Sequence, residues 1–438
     1  LNEYRRIEAR IAGQAARTAA LPSATRCRFH AVSAPSIPPT RGASRGFAGQ
    51  PPPGVEFGGW RSYAHSEEIC LEAAMTAIQG LHHLTLVCGE AQRTVDFYTG
   101  VLGLRFVKQT VNQDAPETYH LFFGDGRGSP GSSVTFFEWP HVPKGAPGIG
   151  GTHHFALGVA DIDGLLRWKR RLTDLGIPVT GPLDRHYFKS IYFRDPDGVI
   201  LEIATLGPGF AVDEDPDRLG EAFRPPPEEM LISNRDEARI RAETWPDPVP
   251  EITFDMALMH GVHHVSALSS DIERTHAFYN GLLGIPLVKK TSNFDDPNSP
   301  HWYWGLNGGE PGTLITYFGM DPATSRRVQL GRGQMHHIAL GVPDEETQLE
   351  YREKLLDAGL RATPVIDRFY FKSVYSNDPD GHIVEIATHG PGYTVDEDLD
   401  SLGQTLKLTP WLEPHRAEIE AGLTPLRVPK WQPPVRVG

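Results

Sequence analysis

The sequence predicts an α+β fold of four β-α-β-β-β modules assembled into two cup-shaped domains, and three observations carry that expectation. Residues 78–215 and 259–398 are copies of one another. Four apolar runs open with a histidine pair, at His82-His83, His153-His154, His263-His264 and His336-His337. Two of these runs are followed 48 residues later by a glutamate on another apolar run, His154 by Glu202 and His337 by Glu385.

The copies hold a steady offset. His83, Phe97, Tyr98, Gly103, Lys108, Asn112, His120 and Gly131 recur 181 positions later as His264, Phe278, Tyr279, Gly284, Lys289, Asn293, His301 and Gly312. Beyond a two-residue insertion the offset is 183. It then carries His154, Asp184-Arg185, Tyr192, the turn 195–198 and Glu202 onto His337, Asp367-Arg368, Tyr375, the turn 378–381 and Glu385. Shared composition does not hold a register of this kind; duplication does.

Within each copy the elements fall in a fixed order. Leu81–Val87 and Thr152–Val159 are apolar runs that read as buried strands. An amphipathic helix follows, with Ile162, Leu165, Leu166, Leu172 and Leu175 expected on one face. Short strands then alternate with turns, most plainly Asp-Pro-Asp-Gly at 195–198 and 378–381. Helix and strand alternate too regularly for an all-β sandwich.

The remaining segments differ in character. The first 50 residues contain eight arginines, no lysine and two acids. Residues 1–74 read as disordered or as sequence upstream of a natural start at Met75, with an arginine-rich transit peptide as the alternative. Residues 216–257 form a linker between the first pair of modules (78–215) and the second pair (259–398). Residues 399–438 mirror that linker and end in a proline-rich tail expected to drape over the body.

Composition narrows the partners. A net charge of −13 argues against nucleic acid and anionic membrane, and no apolar run reaches 18 residues. The three cysteines, Cys27, Cys70 and Cys88, have no paired spacing, which fits a reducing cytoplasm without disulfides or a thiolate metal site.

Strand parity separates the two histidines of each pair, since alternate side chains face opposite ways. The second histidine shares its face with small residues: His83 with Thr85, His154 with Ala156, His264 with Ser266, His337 with Ala339. The first is expected among bulky residues packed against helices. His83, His154, His264 and His337 are therefore the candidate ligands. Glu202 and Glu385, buried on apolar strands, would be costly without a cation. The positions matching them in the first and third modules are Thr135 and Thr316, so each two-module cup offers two histidines and one glutamate. That donor set suits non-haem Fe(II), with three coordination positions open.

The chain over roughly 78–425 resembles the vicinal oxygen chelate superfamily, and within it the ring-cleaving dioxygenases of the hydroquinone 1,2-dioxygenase type. The resemblance rests on Gly-Leu-His-His-Leu-Thr (80–85), Phe-Tyr-x₃-Leu-Gly-Leu (97–104), Val-Lys-Gln-Thr-Val-Asn (107–112), Thr-Tyr-His (118–120), His-His-Ile-Ala (336–339), Asp-Arg-Phe-Tyr-Phe (367–371) and Glu-Ile-Ala-Thr (385–388). It implies Fe(II), with Mn(II) as the alternative ion, held by His83, His337 and Glu385, with His82, Thr85, His336, Arg368 and Tyr375 around them. It also implies that modules one and four share a cup, as do two and three. Sequential pairing, which would give His83/His154/Glu202 and His264/His337/Glu385, uses the same ligands. In such relatives the second cup is often degenerate, whereas this chain keeps His154, His264, Glu202, Arg185 and Tyr192.

The implied reaction is oxidative cleavage of a hydroquinone-type ring by dioxygen. Arg368 or Arg185 would steady a developing oxyanion, and Tyr375 or Tyr192 would donate a hydrogen bond or proton. A small aromatic substrate and dioxygen are the expected partners, and a homo-oligomer is compatible with the sequence. Two other readings share the fold: a glyoxalase-like isomerase and a drug-sequestering protein of the bleomycin-resistance type. Thr135 and Thr316, standing where a second carboxylate ligand would be needed, argue against the first. Four retained ligand histidines argue against the second.

Overall fold

The computed structural model describes residues 77–258 and 260–435; the expectations for residues 1–74 and for a start at Met75 lie outside them. Sixteen strands among these residues form two eight-stranded sheets. Module one supplies β1 (Leu81–Cys88), β2 (Arg105–Asn112), β3 (Ala115–Gly124) and β4 (Ser133–Glu138). Module two supplies β5 (Thr152–Val159), β6 (Thr180–Asp184), β7 (Lys189–Arg194) and β8 (Ile200–Thr205). Module three contributes β9 (Val262–Ser269), β10 (Leu287–Asn293), β11 (Asp296–Trp304) and β12 (Leu314–Gly319). Module four contributes β13 (Met335–Val342), β14 (Ile366–Asp367), β15 (Lys372–Asn377) and β16 (Ile383–Thr388).

Strand order closes the question of pairing. One sheet runs β14-β15-β16-β13-β1-β4-β3-β2, the other β10-β11-β12-β9-β5-β8-β7-β6. Modules one and four therefore build cup one, and modules two and three build cup two. The first strands of the partner modules meet antiparallel at the centre of each sheet, which brings four histidines together in each cup.

The helix after each first strand covers the outer face. In module two it spans Ile162–Asp174, with the Asp161 side chain accepting from the Gly164 N–H. Leu165, Trp168 and Leu172 are fully buried, but Leu175 is 51% exposed. The expected apolar face was one residue too long: the helix stops at Asp174, and Gly176 at φ +75° turns the chain away. In modules one and three the helix begins regularly (Ala91–Val95 and Ile272–His276). It then widens to π geometry over Asp96–Val101 and Ala277–Leu282, burying the repeated Phe-Tyr pairs.

The Asp-Pro-Asp-Gly turns tie the modules to one another. Asp197 accepts from the Gly89 N–H at 3.0 Å and pairs with Arg93, while Tyr98 donates to Asp195. At the equivalent place Asp380 accepts from Ser270 and Asp378 from Tyr317. Burial pushes the carboxyls of both Asp195 and Asp378 up to about 6. In the C-terminal segment the Arg427 N–H donates to Gln92, and Trp431 donates to the Gly103 carbonyl.

Candidate metal centres

Register sets the histidines in place, and it does so through bulges. In β1–β13 the partners run Leu81↔Leu340, then His83↔Ala339, skipping His82; further on Thr85↔His337 is followed by Leu86↔Met335, skipping His336. β5–β9 skips His153 and His263 in the same way. The first histidine of every pair is thus the extra residue of a β-bulge, which re-aims its side chain. Strict alternation would have sent it to the helix-packed face. Instead its ring meets that of its neighbour, Nδ1 to Nδ1, at 2.8 Å (His82–His83), 2.7 Å (His153–His154), 2.9 Å (His263–His264) and 2.8 Å (His336–His337).

With a cation on Nε2, this contact would set the tautomers. A neutral imidazole that offers its Nε2 lone pair must carry its proton on Nδ1. His83 would then donate from Nδ1 to His82, which also hydrogen-bonds the Thr388 backbone. Burial, with His83 alongside, lowers the His82 pKa to about 3, so it stays a neutral acceptor.

In cup one the free atoms converge. His83 Nε2 lies 3.2 Å from His337 Nε2 and 3.4 Å from Glu385 Oε2, and His337 Nε2 lies 2.9 Å from the same oxygen. Cup two repeats this: His154 and His264 Nε2 are 3.4 Å apart and lie 2.9 and 3.4 Å from Glu202 Oε2. Donors at right angles around an ion, with bonds of about 2.1 Å, stand about 3 Å apart. All six groups are buried, and each cup brings together three that could hold a metal ion.

The glutamates are held by one oxygen and open at the other. Ser373 Oγ donates to Glu385 Oε1 at 2.5 Å, and Ser190 donates likewise to Glu202 Oε1. The Oε2 atoms of both are buried and face only the imidazole Nε2 atoms of their own triad, with no other donor among the described residues. Burial alone would raise both carboxyls; the charge and N–H groups of the neighbouring imidazoles, when protonated, outweigh it and hold them well below the ordinary value. A divalent cation fits this donor set in charge, spacing and chemistry.

The fourth place holds a threonine hydroxyl tied to its neighbours. Thr135 Oγ1 lies 2.8 Å from Thr85 Oγ1 and 3.0 Å from His120 Nε2. Thr316, Ser266 and His301 repeat the arrangement. His120 and His301 were not among the expected site residues, although both recur at the 181-residue offset, and that recurrence was the available signal. His120 lies between the Phe122 and Phe137 rings, at centroid distances of 4.0 and 4.4 Å.

Arginine and tyrosine sit at the rim. Tyr375 lies edge-on to His337 with centroids 5.5 Å apart, and the Arg368 guanidinium stands 5.6 Å from the Tyr375 ring. Arg368 also pairs with Asp114 at 3.1 Å, and Gln113 donates to its backbone carbonyl. In cup two Arg185 pairs with Asp295 at 2.9 Å and donates to the Tyr192 hydroxyl. Burial raises the Tyr375 and Tyr192 hydroxyls above their ordinary value.

Paired β-α-β-β-β modules curled around two-histidine, one-carboxylate donor sets define a class of proteins that chelate a metal in a cup. A family model described as the glyoxalase/bleomycin resistance protein/dioxygenase superfamily matches residues 80–203 and 261–386, and the chain belongs to that superfamily. It is 33% identical over 352 residues to a protein of Bacillus subtilis (strain 168) provisionally named ring-cleaving dioxygenase MhqO, covering 80% of this chain and 97% of that one. It is 29% identical over 350 residues to the chlorohydroquinone/hydroquinone 1,2-dioxygenase of Sphingobium indicum, covering 78% and 95%. A crystal structure of a provisionally assigned dioxygenase from B. subtilis superposes with a TM-score of 0.64 at 32% identity, covering 82% of this chain and all of that one.

Proposed function

We propose that the protein is a ring-cleaving dioxygenase that holds Fe(II), with Mn(II) as the alternative ion, on His83, His337 and Glu385 and opens a hydroquinone-type ring. The observation that carries this reading is the three-donor group whose fourth place is a threonine. Thr135 leaves more than one coordination position free, whereas a second carboxylate would have suited an isomerase. The names of relatives matched over 95% or more of their length point the same way.

Bound iron would supply the open positions at which a phenolic oxygen and dioxygen meet and exchange electrons. The chain's own groups do the rest. Tyr375, kept protonated by burial, donates to an oxygen bound beside His337. Arg368 places a fixed positive charge at the rim, where negative charge develops on the ring oxygens. Phe122, Phe137 and Phe371 wall the cup, stack on a ring and exclude water. His82 and His336 hold the ligand imidazoles in the tautomer that leaves Nε2 free, and so act as positioning residues.

The space in cup one is only about 30 Å³, close to the volume of one water. A ring is admitted when Gln113 and Asp114 part from Arg368. Anaerobic loading with iron followed by oxygen uptake on hydroquinone tests the reading. Uptake should be abolished in Glu385→Gln and cut by at least about 100-fold in Tyr375→Phe, which keeps its metal. Uptake that survives Glu385→Gln but is lost in Glu202→Gln would move the chemistry to cup two.

A further inference from the structure

We infer that cup two is a second, complete metal centre with its own cavity for an oxygen-donor aromatic ligand, so that one chain binds two divalent ions. The donor triangle of His154, His264 and Glu202 has edges of 2.9, 3.4 and 3.4 Å, against 2.9, 3.2 and 3.4 Å in cup one. Glu202 is fully buried, and its Oε2 atom faces the two Nε2 atoms and, among the described residues, meets no other donor. An internal salt bridge to Arg185 would be the other way to neutralise this carboxylate. Arg185 does not supply it: its guanidinium goes to Asp295 and Tyr192.

The supporting groups are complete as well. His153 and His263 are bulge residues bound Nδ1 to Nδ1 with the two ligand histidines. Ser190 holds the far oxygen of Glu202. A cup that had lost its ion would be free to lose these groups, because a buried carboxylate without a cation destabilises the fold.

The cavities differ where the donors do not. Cup two holds an open pocket of about 520 Å³ against about 30 Å³ in cup one. A cavity of about 150 Å³ already admits benzene, and pockets for drug-sized ligands run from about 300 Å³ upward. Phe294 stands where Gln113 closes cup one, and Ile232 and Arg235 of the linker form part of the wall. The ligand this space fits is larger than one ring and presents oxygen to the ion, as a naphthalenediol does.

Neither arm of the test reads turnover, so it stands apart from the dioxygenase reading. The full chain is loaded anaerobically with Fe(II), desalted, and its iron counted per folded chain by near-ultraviolet dichroism and metal analysis. Two ions are expected in the parent, one in Glu202→Gln, one in Glu385→Gln and none in the double variant. One ion in the parent that Glu202→Gln leaves in place overturns the second centre, as do two ions that both survive Glu202→Gln. Should Glu202→Gln fail to fold, His264→Gln takes its place with the same expected count. In the second arm, iron-loaded Glu385→Gln is titrated anaerobically with 1,4-dihydroxynaphthalene. Saturable binding that disappears in the double variant supports the cavity's assignment. Binding that is absent, or that persists without the metal, overturns it.

Discussion

Replacing the bulge histidine of module four separates a ligand from the residue that positions it. His336 accepts from His337 through a 2.8 Å contact between Nδ1 atoms, and both rings are buried. His336→Leu fills much of the same volume but leaves the His337 Nδ1–H without that acceptor. The imidazole can then turn, or shift its proton to Nε2, where it blocks the metal. Losing such a support typically weakens metal binding about 10- to 100-fold, or about 1.4–2.7 kcal/mol. His336→Asn places a carbonyl oxygen near the same spot and should recover part of the loss. His337→Leu removes a donor and should abolish binding in cup one. Iron affinity is measured anaerobically by competition with a chromophoric chelator, in a Glu202→Gln background so that only cup one reports. Equal loss in His336→Leu and His337→Leu, or an affinity unchanged by His336→Leu, would refute the division of labour drawn from the bulges.

Three more outcomes follow from particular contacts. Lys108 is fully buried and pinned by Asp396 at 2.6 Å, by Glu397 and by the Tyr393 carbonyl, so Lys108→Met should cost about 3–5 kcal/mol in urea unfolding. A change below about 1 kcal/mol would show the cluster to be dispensable. The Asp195 carboxyl ionises near 6 in the fold, against an ordinary value near 3.8; the unfolded chain ionises first, so stability falls as pH rises from about 4 to 6 and is constant above. Asp195→Asn should therefore be more stable than the parent at pH 7.5 by up to roughly 3 kcal/mol in urea unfolding, with the advantage gone by about pH 4; an advantage that does not vary with pH would contradict this. Gln113 latches Arg368 over cup one, and Gln113→Ala should lower KM for hydroquinone severalfold with kcat little changed, whereas a raised KM would mean that Gln113 holds the substrate.

Much of the site was legible in the chain because its chemistry is local. The 181- and 183-residue offsets exposed the four modules, and the ligand types were visible as histidine pairs and two glutamates on apolar strands. The small residues sharing a strand face with the second histidine, Thr85 with His83 and Ala339 with His337, were the ground for choosing it in each pair. His120 and His301 were repeated just as faithfully, but a histidine on its own strand says nothing about which residues it will face.

Sequence alone determined the repeat, the candidate donors and the threonines that stand where a further carboxylate would, since these are identities and spacings along one strand or between adjacent ones. Only tertiary structure decided that module one pairs with four and two with three, because either arrangement buries the same apolar faces. It also decided the bulges: a one-residue register slip leaves no mark in composition, yet it turns the first histidine from a core side chain into the hydrogen-bond partner of the second. The Arg185–Asp295 pair and the unequal cavities likewise arise from contacts between distant segments. Whether Glu202 meets an arginine or an open space between two imidazoles is a matter of how modules two and three close on each other.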